Sequence, residues 1–122
     1  MRIVIASKQP ATRQAIGLLL RTRLNAEIVG DTGEMEGLTN LVKANHPDIV
    51  LLDEGLVQKA LNEVLASLRM LDPSPAVIVL AKSDKVEQAA LTAGADKTVL
   101  IGSEPKELLI ALRNVQLERE NI

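Results

Sequence analysis

Cysteine is absent from this chain, and so are phenylalanine, tyrosine and tryptophan. Without cysteine there is no disulfide, no thiol nucleophile and no thiolate metal site, a composition compatible with a reducing, intracellular setting. Without aromatic rings there is no stacking platform for single-stranded nucleic acid and no cation–π cage, and the core has to be built from Leu, Ile, Val and Ala. A single histidine, His46, rules out a multi-histidine metal centre. Charge asymmetry is lacking too: 14 Lys and Arg against 16 Asp and Glu leave a net charge of −2, too little to imply direct nucleic acid binding. No apolar run approaches the ~18 residues needed to span a membrane. The opening MRIVIASKQP is too short for a signal peptide, so a cytoplasmic location without membrane attachment is expected.

What is present organises into repeating units. The length of 122 residues suits one compact domain, 1–122. Five short apolar runs stand out: RIVIA at 2–6, EIVG at 27–30, DIVLL at 48–52, AVIVL at 76–80 and KTVLI at 97–101. The third and fourth are continuously apolar, as strands covered on both faces must be. Helical spacing fills the intervals, in 10–24, 34–45, 57–71, 85–93 and 104–119. The stripe in 57–71 consists of Val57, Leu61, Val64, Leu68 and Leu71, and Val86, Ala89, Ala90 and Ala93 are expected inward in 85–93. Pro10 and Pro105 sit in first turns, where a missing N–H costs little, and Gly94 supplies a C-terminal stop. The charged tail RNVQLERENI keeps helical character and, from about residue 115, is compatible with a lead into a linker or output domain. Such β–α units imply an α/β fold with a parallel sheet and helices on both faces. Ligands of these folds bind beyond the carboxyl ends of the strands, here at 6–9, 53–56, 81–84 and 101–104.

Four stretches, in this order and spacing, resemble the receiver domains of two-component response regulators. HPDIVLLDEGL at 46–56 is similar to their third strand with its phosphoacceptor aspartate, which would be Asp53. ALTAGADKTVLI at 90–101 resembles their fourth helix, turn and fifth strand. RIVIASKQP and SEPKELLIAL resemble the first unit and the last helix, so the likeness runs from residue 2 to about residue 117. The resemblance implies a flavodoxin-like fold, with a five-stranded sheet in the order 2-1-3-4-5.

It also implies a chemistry that this sequence has largely lost. Receivers transfer phosphate to their aspartate with Mg²⁺, held in part by two acids after the first strand; here those positions carry Ser7 and Lys8. A hydroxyl is a poor ligand for this ion and an ammonium repels it, so Mg²⁺ binding is expected to be lost or weak and no cofactor is implied. The hydroxyl residue after the fourth strand is replaced by Ala81, the phosphate-pairing lysine after the fifth by Ile101, and the aromatic switch residue by Thr98. A one-residue shift would bring Lys82 or Ser83 to the site instead, but VIVLAKSD aligns without a gap. Phosphoryl transfer rests on positioning and charge neutralisation; losing such groups costs a few kcal/mol each, and every ~1.4 kcal/mol is tenfold in rate. The Lys8 ammonium is expected to reach Asp53 and stand in for the ion; the alternative has Lys8 in solvent and Asp53 hydrated.

Other conspicuous residues have plainer readings. Glu54 reads as a solvated charge and His46 as an exposed loop residue. Asp84 and Lys85 suit a helix start, and the RTR at 21–23 a helix end. Gly30 and Gly33 bracket Asp31 without forming a phosphate loop. Met35 and Met70 read as helix packing. The sequence is thus read as a degenerate receiver, not an enzyme, acting without phosphorylation through a protein partner or through homodimerisation on the fourth helix, fifth strand and fifth helix. The alternative is a receiver phosphorylated on Asp53 by a histidine kinase, controlling a downstream DNA-binding output domain.

Overall fold

Alternation along the first strand sets up two separate cores. In the computed structural model, which describes residues 1–57 and 60–120, β1 (Arg2–Ala6) turns Ile3 and Ile5 to one face of a sheet and Val4 and Ala6 to the other. The remaining elements are α1 (Pro10–Arg23), β2 (Glu27–Thr32), α2 (Met35–Asn45), β3 (Ile49–Asp53), a 3-10 turn (Glu54–Leu56), α3 (Leu61–Arg69), β4 (Ala76–Ala81), α4 (Asp84–Ala93), β5 (Lys97–Leu100) and α5 (Pro105–Glu120). All strand pairings are parallel and the order is β2-β1-β3-β4-β5, as the family likeness implied.

One face of the sheet packs against α1 and α5. There Ile3, Ile5, Ile49, Leu51, Ile78 and Leu80 meet Leu20 from α1 and Leu108, Leu112 and Val115 from α5. The opposite face carries α2, α3 and α4, where Val50, Leu52, Val77 and Val79 meet Leu38, Val42, Leu65, Leu68 and Ala90. Burying a Leu, Ile or Val side chain is worth about 1.5–3 kcal/mol, so these aliphatic layers supply the cohesion that aromatic rings commonly share. Every residue of β4 is buried, as continuous apolar runs in a two-sided sheet require.

Several boundaries differ from the sequence expectation. The edge strand β2 runs on through Asp31 and Thr32, which pair with Ile5 and Ala6; an edge strand tolerates polar residues that apolar counting overlooks. The helix expected over 57–71 is shorter: Val57 is extended after the 3-10 turn, α3 begins at Leu61, and Leu71 lies beyond its end. Residues 58–59 of that expectation lie outside the described residues, as do 121–122 of the tail. Met70 is 84% exposed rather than packed, because the apolar stripe of α3 turns away through Leu65 and Leu68. Ala89 is exposed while Ala90 is fully buried, since neighbours lie 100° apart around a helix and only one of them faces the sheet. Among the described residues no helix is long and apolar enough to cross a membrane.

Candidate functional site

Parallel strands deliver β1, β3, β4 and β5 to one edge, and Asp53 ends β3 there. The chain turns directly after it: the Gly55 N–H donates to Asp53 Oδ1 at 3.0 Å, so the carboxylate caps its own turn. The second oxygen is taken as well. Ser7, one residue past β1, is fully buried, and its Oγ donates to Asp53 Oδ2 at 2.8 Å. The hydroxyl in turn accepts from the Gln9 N–H at 3.3 Å. The main chain of Ser7 is fixed on both sides: its N–H donates to the Thr32 carbonyl at 3.0 Å, and its carbonyl accepts from Arg13 Nη1 at 2.5 Å.

Lys8 does not make the contact expected of it. Asp53 and Lys8 form no ion pair among the described residues. The inward direction at the end of β1 is taken by Ser7, and the chain bends at the next residue, leaving Lys8 exposed. Lys8 instead lines an open groove of about 660 Å³ between the start of α2 and α3, together with Glu34, Glu36, Glu63 and an apolar floor of Leu56 and Leu68. Glu54 is half-buried beside the site, and His46 is exposed with a left-handed φ of 47° at the end of α2.

Of the remaining positions, Ala81 and Ile101 lie at the same edge and Thr98 lies earlier on β5. Ala81 ends β4 fully buried and offers only its carbonyl, which accepts from the Ile101 N–H at 2.7 Å. The Ile101 side chain is 52% exposed and borders a cleft of about 540 Å³ between α1 and the β5–α5 loop. Thr98 is half-buried on β5, and its Oγ1 donates to Glu87 Oε2 of α4 at 2.8 Å. Ser83 caps α4, accepting from the Val86 N–H at 3.2 Å, so it is committed to the helix.

These residues do not fit a divalent cation. Such an ion takes roughly six or more oxygen ligands, and Mg²⁺ is held through one or two free carboxylates with water completing the shell. Here one carboxylate already accepts a hydrogen bond on each oxygen, the adjoining hydroxyl is spent on that carboxylate, and the next residue is a lysine. Among the described residues no group of three or more His, Asp or Glu side chains is arranged to hold a metal. Arg13 and Gly55 went unnoticed in the sequence, and Gly33 was read only as a glycine flanking Asp31: Arg13 reads as an ordinary first-turn cation, and only the register of β2 brings Asp31 and the Ser7 carbonyl to it.

Comparison with known proteins places the fold in a family. Residues 3–113 match the response regulator receiver domain family. The chain is 28% identical over 114 residues to the nitrate/nitrite response regulator protein NarP of Escherichia coli, covering 92% of this chain and 53% of that protein. It is 32% identical over 116 residues to the DNA-binding response regulator MtrA of Mycolicibacterium smegmatis, covering 92% and 49%. It thus spans about half the length of the curated relatives it matches. Among solved structures, a DNA-binding response regulator of the LuxR family from Staphylococcus aureus superposes with a TM-score of 0.81 at 26% identity, over 93% of this chain and 97% of that one. The response regulatory domain of mrkE from Klebsiella pneumoniae shares the fold at a TM-score of 0.85 and 16% identity, with both chains fully covered. The parallel sheet in the order 2-1-3-4-5, the aspartate at its carboxyl edge and the match across nearly the whole chain have one explanation: this protein belongs to the receiver domain family of two-component response regulators.

Proposed function

We propose that this receiver is a degenerate one that signals without phosphorylation of Asp53. The observation that carries the reading is the Ser7 hydroxyl bound to Asp53 Oδ2 at 2.8 Å, in the place where receivers need a metal ligand. Three further positions support it. Ala81 offers no side-chain donor, Ile101 no cation, and Thr98 is tied to Glu87 rather than free to rotate as a switch. A phosphoryl group on Asp53 would meet neither metal nor side-chain charge from these positions, and electrostatic stabilisation is the main source of rate in such transfers.

On this reading the domain is a cytoplasmic protein–protein module, acting through a fixed conformation on a partner protein or a second copy. The face formed by α4, β5 and α5 is the surface we assign to that contact; Leu91 and Ile110 stand exposed on it at 45% and 50%. A second reading, with Asp53 still accepting phosphate from a histidine kinase to control a DNA-binding output domain, draws on two observations. The carboxylate is only half-buried, and the curated relatives are about twice as long as this chain.

One experiment separates the two. The protein is incubated with acetyl phosphate and Mg²⁺ and run on a phosphate-affinity gel beside Asp53→Asn. The expected result is no retarded band in either; a band present in wild type and absent from Asp53→Asn overturns the phosphorylation-independent reading.

A further inference from the structure

Ser7 is held on Asp53 by more than its own hydroxyl, and the holding group is the side chain of Arg13. Arg13 lies in the first turn of α1, with a side chain only 19% exposed. Its Nη1 donates to the Ser7 carbonyl at 2.5 Å while its Nε bonds Asp31 Oδ1 of β2 at 3.1 Å. A guanidinium can serve two acceptors at once because its donors point in fixed, divergent directions, which an ammonium cannot reproduce. The turn between β1 and α1 is therefore pinned from the sheet edge: Asp31 fixes Arg13, Arg13 fixes the Ser7 main chain, and Ser7 fixes Asp53.

Gly33 fits this chain of contacts. A Cβ built at Gly33 would lie 3.0 Å from Arg13 Nη1 and 3.5 Å from the Ser7 carbonyl oxygen. Any side chain there intrudes on the very hydrogen bond that anchors the turn. Gly33 carries no left-handed backbone requirement, so the space it leaves, and not its conformation, is what the guanidinium uses.

We infer that Arg13 is a positioning residue whose clasp between Asp31 and the Ser7 carbonyl keeps the Ser7 hydroxyl on Asp53, closing the site from within. The inference deepens the phosphorylation-independent reading by naming what keeps the carboxylate occupied. With the clasp in place, an incoming ligand has to break a charge-assisted hydrogen bond whose donor cannot swing aside.

The test is chemical access to Asp53 in the folded protein, with no phosphodonor present. Carboxyl groups are labelled with a water-soluble carbodiimide and glycine ethyl ester, and Asp53, Asp31 and Asp96 are quantified by tandem mass spectrometry. Asp96 serves as the reference, being bonded to the Val77 N–H at the opposite end of the sheet. In Arg13→Ala, Asp53 labelling is expected to rise roughly tenfold relative to Asp96, the size expected when a hydrogen bond to a charged group is freed. Gly33→Ala, which crowds the guanidinium without removing it, should give a smaller rise in the same direction. Arg13→Lys, with one point of donation instead of a fork, should fall between wild type and Arg13→Ala. Unchanged Asp53 labelling in Arg13→Ala, with Asp31 labelling raised, overturns the inference. So does a parallel rise at Asp53 and Asp96, which marks general loosening. A phosphorylated wild type would sink the preceding proposal and leave this one standing.

Discussion

Ser7 and Asp53, separated by 46 positions in the chain, meet through one hydrogen bond of 2.8 Å at the carboxyl edge of the sheet. One partner is fully buried and the other half-exposed, so the bond sits where protein gives way to solvent. Ser7→Ala removes the donor and leaves an oxygen that water can partly satisfy. The expected loss is about 1–2 kcal/mol, toward the lower end for a bond to a charged group. Urea unfolding at neutral pH measures it, and a loss under about 0.3 kcal/mol would show that Asp53 draws nothing from Ser7.

Ser7→Asp reverses the logic of the site. It sets a second carboxylate, buried, against the first, and like charges that close destabilise each other strongly. The variant should unfold at lower temperature than wild type in metal-free buffer. Millimolar Mg²⁺ should raise its Tm by mass action while leaving the wild-type Tm in place, because only the variant offers two carboxylates to a hard cation. Equal Mg²⁺ responses in the two proteins would contradict the proposal that Ser7 in place of a carboxylate weakens the site for this ion.

The sheet was largely legible in the sequence because buried strands write themselves as apolar runs: 2–6 was recovered residue for residue, and 76–80 to within one. The misses share a physical cause. Asp31 and Thr32 belong to an edge strand, where pairing does not require apolar side chains. Val57 continues the apolar spacing of α3 but follows a 3-10 turn that Asp53 itself caps. At the site, the reading of Ser7, Lys8, Ala81, Thr98 and Ile101 as altered receiver positions rests on the family likeness. The direction of Lys8 could not be read, since it depends on which of two neighbouring side chains takes the inward position. The roles of Arg13 and Gly33 come from tertiary register, which no local pattern encodes.

The Thr98–Glu87 hydrogen bond of 2.8 Å joins β5 to α4. Thr98→Val keeps the shape and the β-branch but removes the donor, at an expected cost of about 0.5–1.5 kcal/mol. The loss should be local. Amide hydrogen exchange should quicken in α4 and leave β1 and β3 unchanged, because the bond anchors that helix and nothing else. Uniform quickening would instead mean that Thr98 supports the whole sheet.

With no aromatic residue, stability depends on aliphatic fit, and Leu112 is a sensitive place to probe it. It is fully buried in α5, in the layer that also holds Leu20 and Ile78. Leu112→Ala should cost about 2–5 kcal/mol, while Ile78→Val, which removes one methylene, should cost about 0.5–1.5 kcal/mol. Denaturant midpoints with unchanged m-values report both. A Leu112→Ala loss below 1.5 kcal/mol would mean that the layer collapses into the space more readily than close packing allows.

Gly94 ends α4 with φ at +112°, a backbone region open to glycine and strained for other residues. Its N–H donates to the Ala90 and Leu91 carbonyls at 3.1 Å, and the next N–H, of Ala95, reaches back to the Ala90 carbonyl at 2.9 Å. The turn that feeds β5 thus depends on this one conformation. A Cβ at Gly94 would also stand 3.1 Å from Arg69 Nη1, whose guanidinium bonds the Gly94 carbonyl and joins the ends of α3 and α4. Gly94→Ala should therefore lose about 1–2 kcal/mol to the backbone alone, and more if Arg69 is displaced. Asparagine tolerates positive φ better than other side chains, so Gly94→Asn should fall between wild type and Gly94→Ala. Arg69→Ala separates the two contributions: in that background the Gly94→Ala penalty should shrink to the backbone part. An unchanged penalty would assign the whole cost to φ and none to the guanidinium.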